Sequence, residues 1–256
     1  MAISFSMQTG LFEVGRYHKA PIHLHPAFFI TAGALAWPFW RMFSLRGLAL
    51  GVLFMAIVFA SILAHELAHA DIARRYRVAA KRIDIHMLGG LVQFWQTSQT
   101  RRQSFAITLA GPMSNLLIGL VALAMLTVMP HANDMRLMSD QIGLGPPTDD
   151  FLETLLRASV YLNLGLCIVN LIPAFPLDGG KLLHLLIEGR WNSRAATFVV
   201  SGLGLVFACC SLLLLVGTLL SGFPIWSPPG FRVNWRAFQA ALQGMGGWDA
   251  LAFGQS

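Results

Sequence analysis

Ile62-Leu63-Ala64-His65-Glu66-Leu67-Ala68-His69-Ala70 places two histidines and a glutamate inside an otherwise apolar segment. On a helix, His65 and His69 stand four residues apart and share a face. Both imidazoles can then reach one zinc ion, and Glu66 can reach a water on that ion. The pattern is H-E-x-x-H, in which the glutamate acts as general base. Upstream, residues 47–64 carry no charge and are rich in Leu, Val, Ile, Phe and Met. One helix therefore predicts both a metal site and a membrane span, and the fold class follows from that combination.

Composition points the same way. Of 256 residues, 55% are hydrophobic and 12% charged, with a mean hydropathy of +0.62, which places the chain among polytopic membrane proteins. The net charge of +6 does not indicate nucleic acid, because the basic residues cluster beside apolar spans as in cytoplasmic membrane loops. Cys167, Cys209 and Cys210 lie in apolar stretches without C-x-x-C spacing, so they read as small core residues. The N-terminus shows no compact apolar core followed by a cleavage site, so the first span is expected to insert the chain and stay.

Five spans are expected, at about 27–43, 47–73, 105–129, 151–172 and 195–220; a sixth is not apparent. Residues 1–26 read as an interfacial segment ending in a short strand between Pro21 and Pro26. Strands at 83–88 and 91–95 flank Gly89-Gly90 as a β-hairpin. With the strand near His23 it would form a small sheet at the membrane surface. The predicted fold class is thus an all-α polytopic membrane protein carrying a small β-hairpin or sheet, with a core over 27–222. In the tail, 223–256, residues Phe231, Trp235, Phe238 and Leu242 fall at helical spacing with Arg232 and Arg236 off the stripe, as in an amphipathic interfacial helix. Arg74, Arg75, Arg77, Lys81, Arg82, Arg101 and Arg102 make the loop after the second span cytoplasmic. The acidic loop ending at Asp150 is then external. His65, His69 and Asp178 fall near the cytoplasmic ends of their spans.

A catalytic zinc needs a third protein ligand and an open position. Asp178 is the candidate, since Pro176 and Gly179 free the backbone there; its alternative role is to cap the helix that follows. Asn170 reads as a donor to a substrate carbonyl or oxyanion. Asn163 reads as helix–helix glue, and Asn115, after Gly111-Pro112, as packing. His23, His25 and His86 read as interfacial histidines near the same membrane face, and His18, His131 and His184 carry no signal. The alternative for the motif itself is a core histidine pair with a buried acid. Each ionisable group at mid-membrane costs about 2.5–3.5 kcal/mol, which weighs against retention without function.

His65-Glu66-Leu67-Ala68-His69, Leu88-Gly89-Gly90, Ala110-Gly111-Pro112-Met113-Ser114-Asn115 and the run Asn170 to Gly180 occur together and in this order. Over about residues 20–220 the chain resembles the site-2 protease family of intramembrane zinc metalloproteases. Within it, the chain looks most like the compact subgroup that includes archaeal site-2 proteases and the sporulation protease that processes a pro-sigma factor. The resemblance implies one zinc ion on His65, His69 and Asp178, Glu66 as catalytic base, and Asn170 holding substrate. No PDZ-like insertion, CBS domain or sixth span is apparent. The expected activity is hydrolysis of a peptide bond in or near the transmembrane segment of a membrane protein, or of a membrane-inserted peptide. By resemblance, substrates would be membrane-bound transcription-factor precursors, anti-sigma factors or signal-peptide remnants, with a regulatory membrane partner. The setting would be the lipid bilayer of a prokaryotic cytoplasmic membrane. The rival reading is a non-catalytic membrane zinc binder or transporter, which would keep its function after Glu66→Gln.

Overall fold

The computed structural model describes residues 4–6, 11–86, 89–95, 99–129, 150–220 and 230–247, with side chains at all of these but 4–6 and 212–220. Leu88, His131, the acidic loop up to Asp149, and the tail segments 221–229 and 248–256 lie outside the described residues. The elements are β1 (Ser4–Ser6), β2 (Leu11–Tyr17), β3 (Ala20–Leu24), α1 (Ala27–Trp40), α2 (Leu45–Arg75), β4 (Ala80–His86), β5 (Gly89–Phe94), α3 (Arg101–Thr127), α4 (Phe151–Asn170), α5 (Asp178–Arg190), α6 (Ser193–Leu220) and α7 (Phe231–Leu242). They divide into two compact units, residues 1–99 with 110–167 and residues 100–109 with 168–256.

The first unit is built on α2. Ser44 caps it by accepting a hydrogen bond from the Gly47 N–H at 3.0 Å, and Arg74 and Arg75 occupy its last turn, where positive charge favours a helix C-terminus. Its 31 residues extend about 46 Å, more than the hydrocarbon thickness of a bilayer. Trp40 lies against Gly51 and Phe28 against Phe59, so α1 runs antiparallel to α2. Gly47 and Gly51 are four apart, and a Cβ on either would strike α1 or the turn that follows it; two glycines at this spacing are what lets the backbones approach.

Against this pair lies a five-stranded sheet in the order β1-β2-β3-β4-β5. Its β3–β4 pair is parallel, with Ile22 opposite Ile83 and Leu24 opposite Ile85, and its other pairs are antiparallel. Ile22, Leu24, Ile83, Ile85 and Val92 form one core with Phe28, Ala32, Phe54, Val58, Ile62 and Ala70. Because Ile62 and Ala70 bracket the two histidines, the sheet runs alongside the His65–His69 stretch of α2.

Several expectations change. The sheet is larger than expected, because residues 4–6 and 11–17 form strands instead of an interfacial lead-in; a register shift between Glu13 and Gly15 breaks the alternation that would mark β2. Gly89 and Gly90 lie inside β5, with Gly89 paired to His86, so both are strand residues and not the turn expected of them. Among the described residues, four helices, α2, α3, α4 and α6, are long and apolar enough to cross a membrane. The expected first span is α1, whose 14 residues rise only about 21 Å. Five spans are therefore not confirmed: the described residues give four full-length apolar helices and one short one.

In the second unit, α7 packs on α6 through Phe238, stacked on Phe198 at 4.8 Å between ring centroids. Arg194 donates to the carbonyls of Ala241 and Leu242 at 2.8 and 3.2 Å, satisfying the last turn of α7. The buried face of α7 is Asn234, Ala237, Ala240 and Ala241, while Phe231, Trp235 and Leu242 are exposed. Three of the four stripe residues thus lie on the outer face, and the contact is made by the small residues together with Phe238. His184 on α5 is buried with Nε2 3.1 Å from Thr197 Oγ1, and desolvation pushes its pKa down from the ordinary histidine value, which favours the neutral ring.

Candidate metal centre

His65 and His69 project from one face of α2, with Nε2 atoms 3.1 Å apart and rings nearly perpendicular at 84°. Both are buried. Two imidazoles on one tetrahedral zinc, each at 2.0–2.1 Å, hold their nitrogens about 3.3 Å apart, so the pair is already spaced as two ligands of one ion.

The proton on His65 is fixed by an amide relay. Asn163 donates to the Ser159 carbonyl at 2.9 Å, which turns its Oδ1 toward Asn115. The Asn115 Nδ2 group donates to that oxygen at 3.0 Å and to the Ser61 carbonyl at 3.3 Å. With its donors committed, Asn115 presents Oδ1 to His65 Nδ1 at 2.6 Å. His65 must therefore carry its proton on Nδ1 and keep the Nε2 lone pair for a metal. Asn115 and Asn163 are both fully buried.

Two glycines open the space around these groups. A Cβ on Gly111 of α3 would come within 2.5 Å of both Nε2 atoms, so the lack of a side chain there preserves room facing the lone pairs. A Cβ on Gly90 of β5 would come within 2.5 Å of Glu66 Cδ and Oε1. The carboxylate of the buried Glu66 thus packs directly on the β5 backbone. Paired donors, a fixed tautomer and a cradle that a methyl group would fill together fit a zinc ion.

Asn170 and Asp178 belong to the second unit, Asn170 as the last residue of α4 and Asp178 as the first of α5. The N-cap of α5 is Leu177, not Asp178. Asp178 is buried and pairs with Lys181 Nζ at 3.0 Å. The capping alternative for Asp178 is therefore set aside.

The sequence profile of peptidase family M50 matches residues 53–211. The chain belongs to peptidase family M50. All five candidate site residues, and Asn115 with them, fall inside the M50 match. It is 27% identical over 237 residues to a candidate zinc metalloprotease of Synechocystis, sll0528, covering 90% of this chain and 58% of that one. It is 30% identical over 162 residues to the zinc metalloprotease MJ0392 of Methanocaldococcus jannaschii, covering 63% and 42%. To the stage IV sporulation protein FB of Bacillus subtilis it is 28% identical over 170 residues, covering 65% and 48%. The chain spans about half the length of these relatives. A solved structure, the site-2 protease from M. jannaschii, matches with a TM-score of 0.57 and 24% identity over 91% of this chain and 94% of that one, which establishes a shared fold.

Asn115 and Gly90 are residues that sequence reasoning assigned otherwise, as packing and a turn, and Gly111 joins them at the site. The one available signal for Asn115 was an amide within an apolar helix, where polar groups need partners. Among the described residues, His23, His25 and His86 belong to no metal-capable group. His23 instead pairs through Nδ1 with buried Asp84 at 3.0 Å, and His25 accepts from the Ala27 N–H at 3.1 Å.

The amide relay makes a prediction. Asn115→Leu keeps the approximate shape but removes the acceptor on His65, so zinc affinity should fall about 10–100-fold. Competition with a chromogenic chelator on purified protein would measure it; unchanged affinity would show that the tautomer is set elsewhere.

Proposed function

We propose that this chain is an intramembrane zinc endopeptidase that cuts a membrane protein in or near its transmembrane segment. In this reading His65, His69 and Asp178, all buried, hold one zinc ion. The observation that carries it is buried Glu66, one residue from a histidine pair spaced for one ion, on a helix long enough to span a bilayer. When bound, zinc supplies a Lewis acid that polarises a carbonyl and eases deprotonation of water. Glu66 takes the proton of the attacking water and passes it to the leaving amine. Asn170 steadies the substrate carbonyl as negative charge develops on its oxygen.

A helical substrate shields its peptide bonds by its own hydrogen bonding and must be extended to react. β5 is the edge strand of the sheet, and its backbone touches Glu66, so an extended substrate pairing along β5 would lie beside the general base. Val92 is buried in the core and Phe94 packs against it only partly buried, so Phe94→Pro is the gentler way to remove an edge N–H. It should lower cleavage about tenfold, and full cleavage with an intact sheet would rule out edge pairing.

The basic stretch from Arg74 to Arg82 supports an active site facing the cytoplasmic leaflet of a prokaryotic inner membrane, and a regulatory membrane partner would gate access. The test is a comparison of membrane peptides in cells carrying wild type or Glu66→Gln. A peptide that accumulates with the variant and is cut by the wild type identifies a substrate; identical peptide profiles would count against proteolysis.

A further inference from the structure

We propose that Asn234 of α7 is a positioning residue for Asp178. The proposal rests on reading Asp178 as the third zinc ligand. The segment that delivers Asp178 is the seven-residue connection from Leu171 to Leu177, which contains Pro173 and Pro176 and belongs to neither α4 nor α5. A metal ligand has to be held to within about 0.5 Å, and a connection of this kind does not do that unaided.

α7 supplies the missing constraint. Asn234 is fully buried. Its Nδ2 donates to the Phe175 carbonyl at 2.6 Å and to the Gly230 carbonyl at 2.9 Å, while its Oδ1 accepts from the Phe175 N–H at 3.2 Å. One side-chain amide thus satisfies both backbone groups of Phe175, as a neighbouring strand would.

The surroundings are cut to fit. A Cβ on Gly204 of α6 would overlap the Asn234 amide, and one on Gly230, where φ is +68°, would overlap the Phe175 carbonyl. On the other side, a Cβ on Gly180 would lie 2.6 Å from the Ala174 carbonyl, and one on Gly179 would meet the carbonyls of Leu171 and Ile172. The first turn of α5 therefore rests directly on the segment that Asn234 grips. Contact runs without a gap from Asn234 through the Phe175 peptide and the two glycines to the backbone of Asp178. α7 lies beyond residues 53–211 of the family match, so this clamp is separate from the shared motifs.

The test is zinc affinity by chelator competition on the detergent-purified full chain, with thermal unfolding measured in parallel. Asn234→Ala, and Asn234→Asp, which keeps an acceptor but loses the donor, should bind zinc about 10–100-fold more weakly. Arg194→Met cuts a different tie of α7 and leaves Phe175 untouched; it should lower Tm yet bind zinc as wild type does. Asp178→Ala should lose at least as much affinity as the Asn234 variants. Wild-type affinity in a folded Asn234 variant overturns the clamp, as does an equal loss in Arg194→Met, which would reduce Asn234 to general anchoring of the helix. Wild-type affinity in Asp178→Ala instead overturns the ligand reading on which the clamp depends. If neither Asn234 variant is recovered folded, Gly230→Ala presses on the same carbonyl with the amide in place. Weaker zinc binding in that variant supports the clamp, and unchanged binding overturns it.

Discussion

Glu66→Gln should reduce peptide hydrolysis by about 10²–10⁴-fold, the usual contribution of a positioned general base, while the purified protein keeps its zinc. Glutamine preserves the size of the side chain that packs on Gly90, so the sheet and α2 need not move. What it loses is the ability to accept a proton from water and return it to the leaving amine. The two imidazoles lie on a different flank of the same turn, and their spacing and tautomer depend on Asn115 and Gly111, not on Glu66. Zinc content from elemental analysis and cleavage of a matched membrane substrate are read on the same sample. Retained cleavage would remove Glu66 from the mechanism; loss of both zinc and cleavage would make it a ligand.

Gly111→Ala should weaken zinc binding by about 100-fold or more, on the scale of losing a group that shapes a metal site. The added methyl falls within 2.5 Å of both Nε2 atoms, on the side where the ion must sit. His65 cannot swing away without breaking its bond to Asn115 at 2.6 Å, and α3 carries both Asn115 and Gly111, so backing the helix off strains the same bond. Alanine is the better helix former by about 0.5–1 kcal/mol, but overpacking costs about 1–3 kcal/mol, so a modest fall in Tm should accompany the loss. Zinc titration and thermal unfolding of the metal-free protein separate the two effects. Wild-type affinity in this variant would mean that the ion binds away from the face lined by Gly111.

The sequence carried the chemistry of α2 because the i, i+4 spacing of His65 and His69 is a local property. Asp178 was singled out by an equally local feature, an acid where prolines and glycines interrupt the helical pattern. The glycines were harder. Gly89-Gly90 is a strong local turn signal, yet Gly90 answers to Glu66, 24 residues earlier in the chain, and no local pattern records that contact. Asn115 had the same difficulty, since its partners on α2 and α4 are 50 and 48 residues away. The tail helix was legible as a helix, but an apolar stripe does not say which side packs. In α7 the alanine and asparagine face is the buried one, and of the apolar stripe Phe238 reaches α6, stacked on Phe198. α1 was read as a short span running to residue 43, because apolar composition marks a membrane helix more clearly than it marks where the helix ends.

The shortness of α1 has a consequence for the lipid around it. A rise of about 21 Å falls short of hydrocarbon about 30 Å deep, and β3 precedes α1 by only His25 and Pro26. If the α1–α2 turn is level with one surface of the bilayer, the polar backbone of β3 begins about 9 Å before the other surface is reached. Lipid acyl chains beside α1 have to shorten, tilt or leave a dimple to avoid that backbone. Such a notch would lower the water table on one flank of the protein, on the same sheet whose far strand touches Glu66. Solvent would then have a shallower descent to the carboxylate than the full length of α2 suggests.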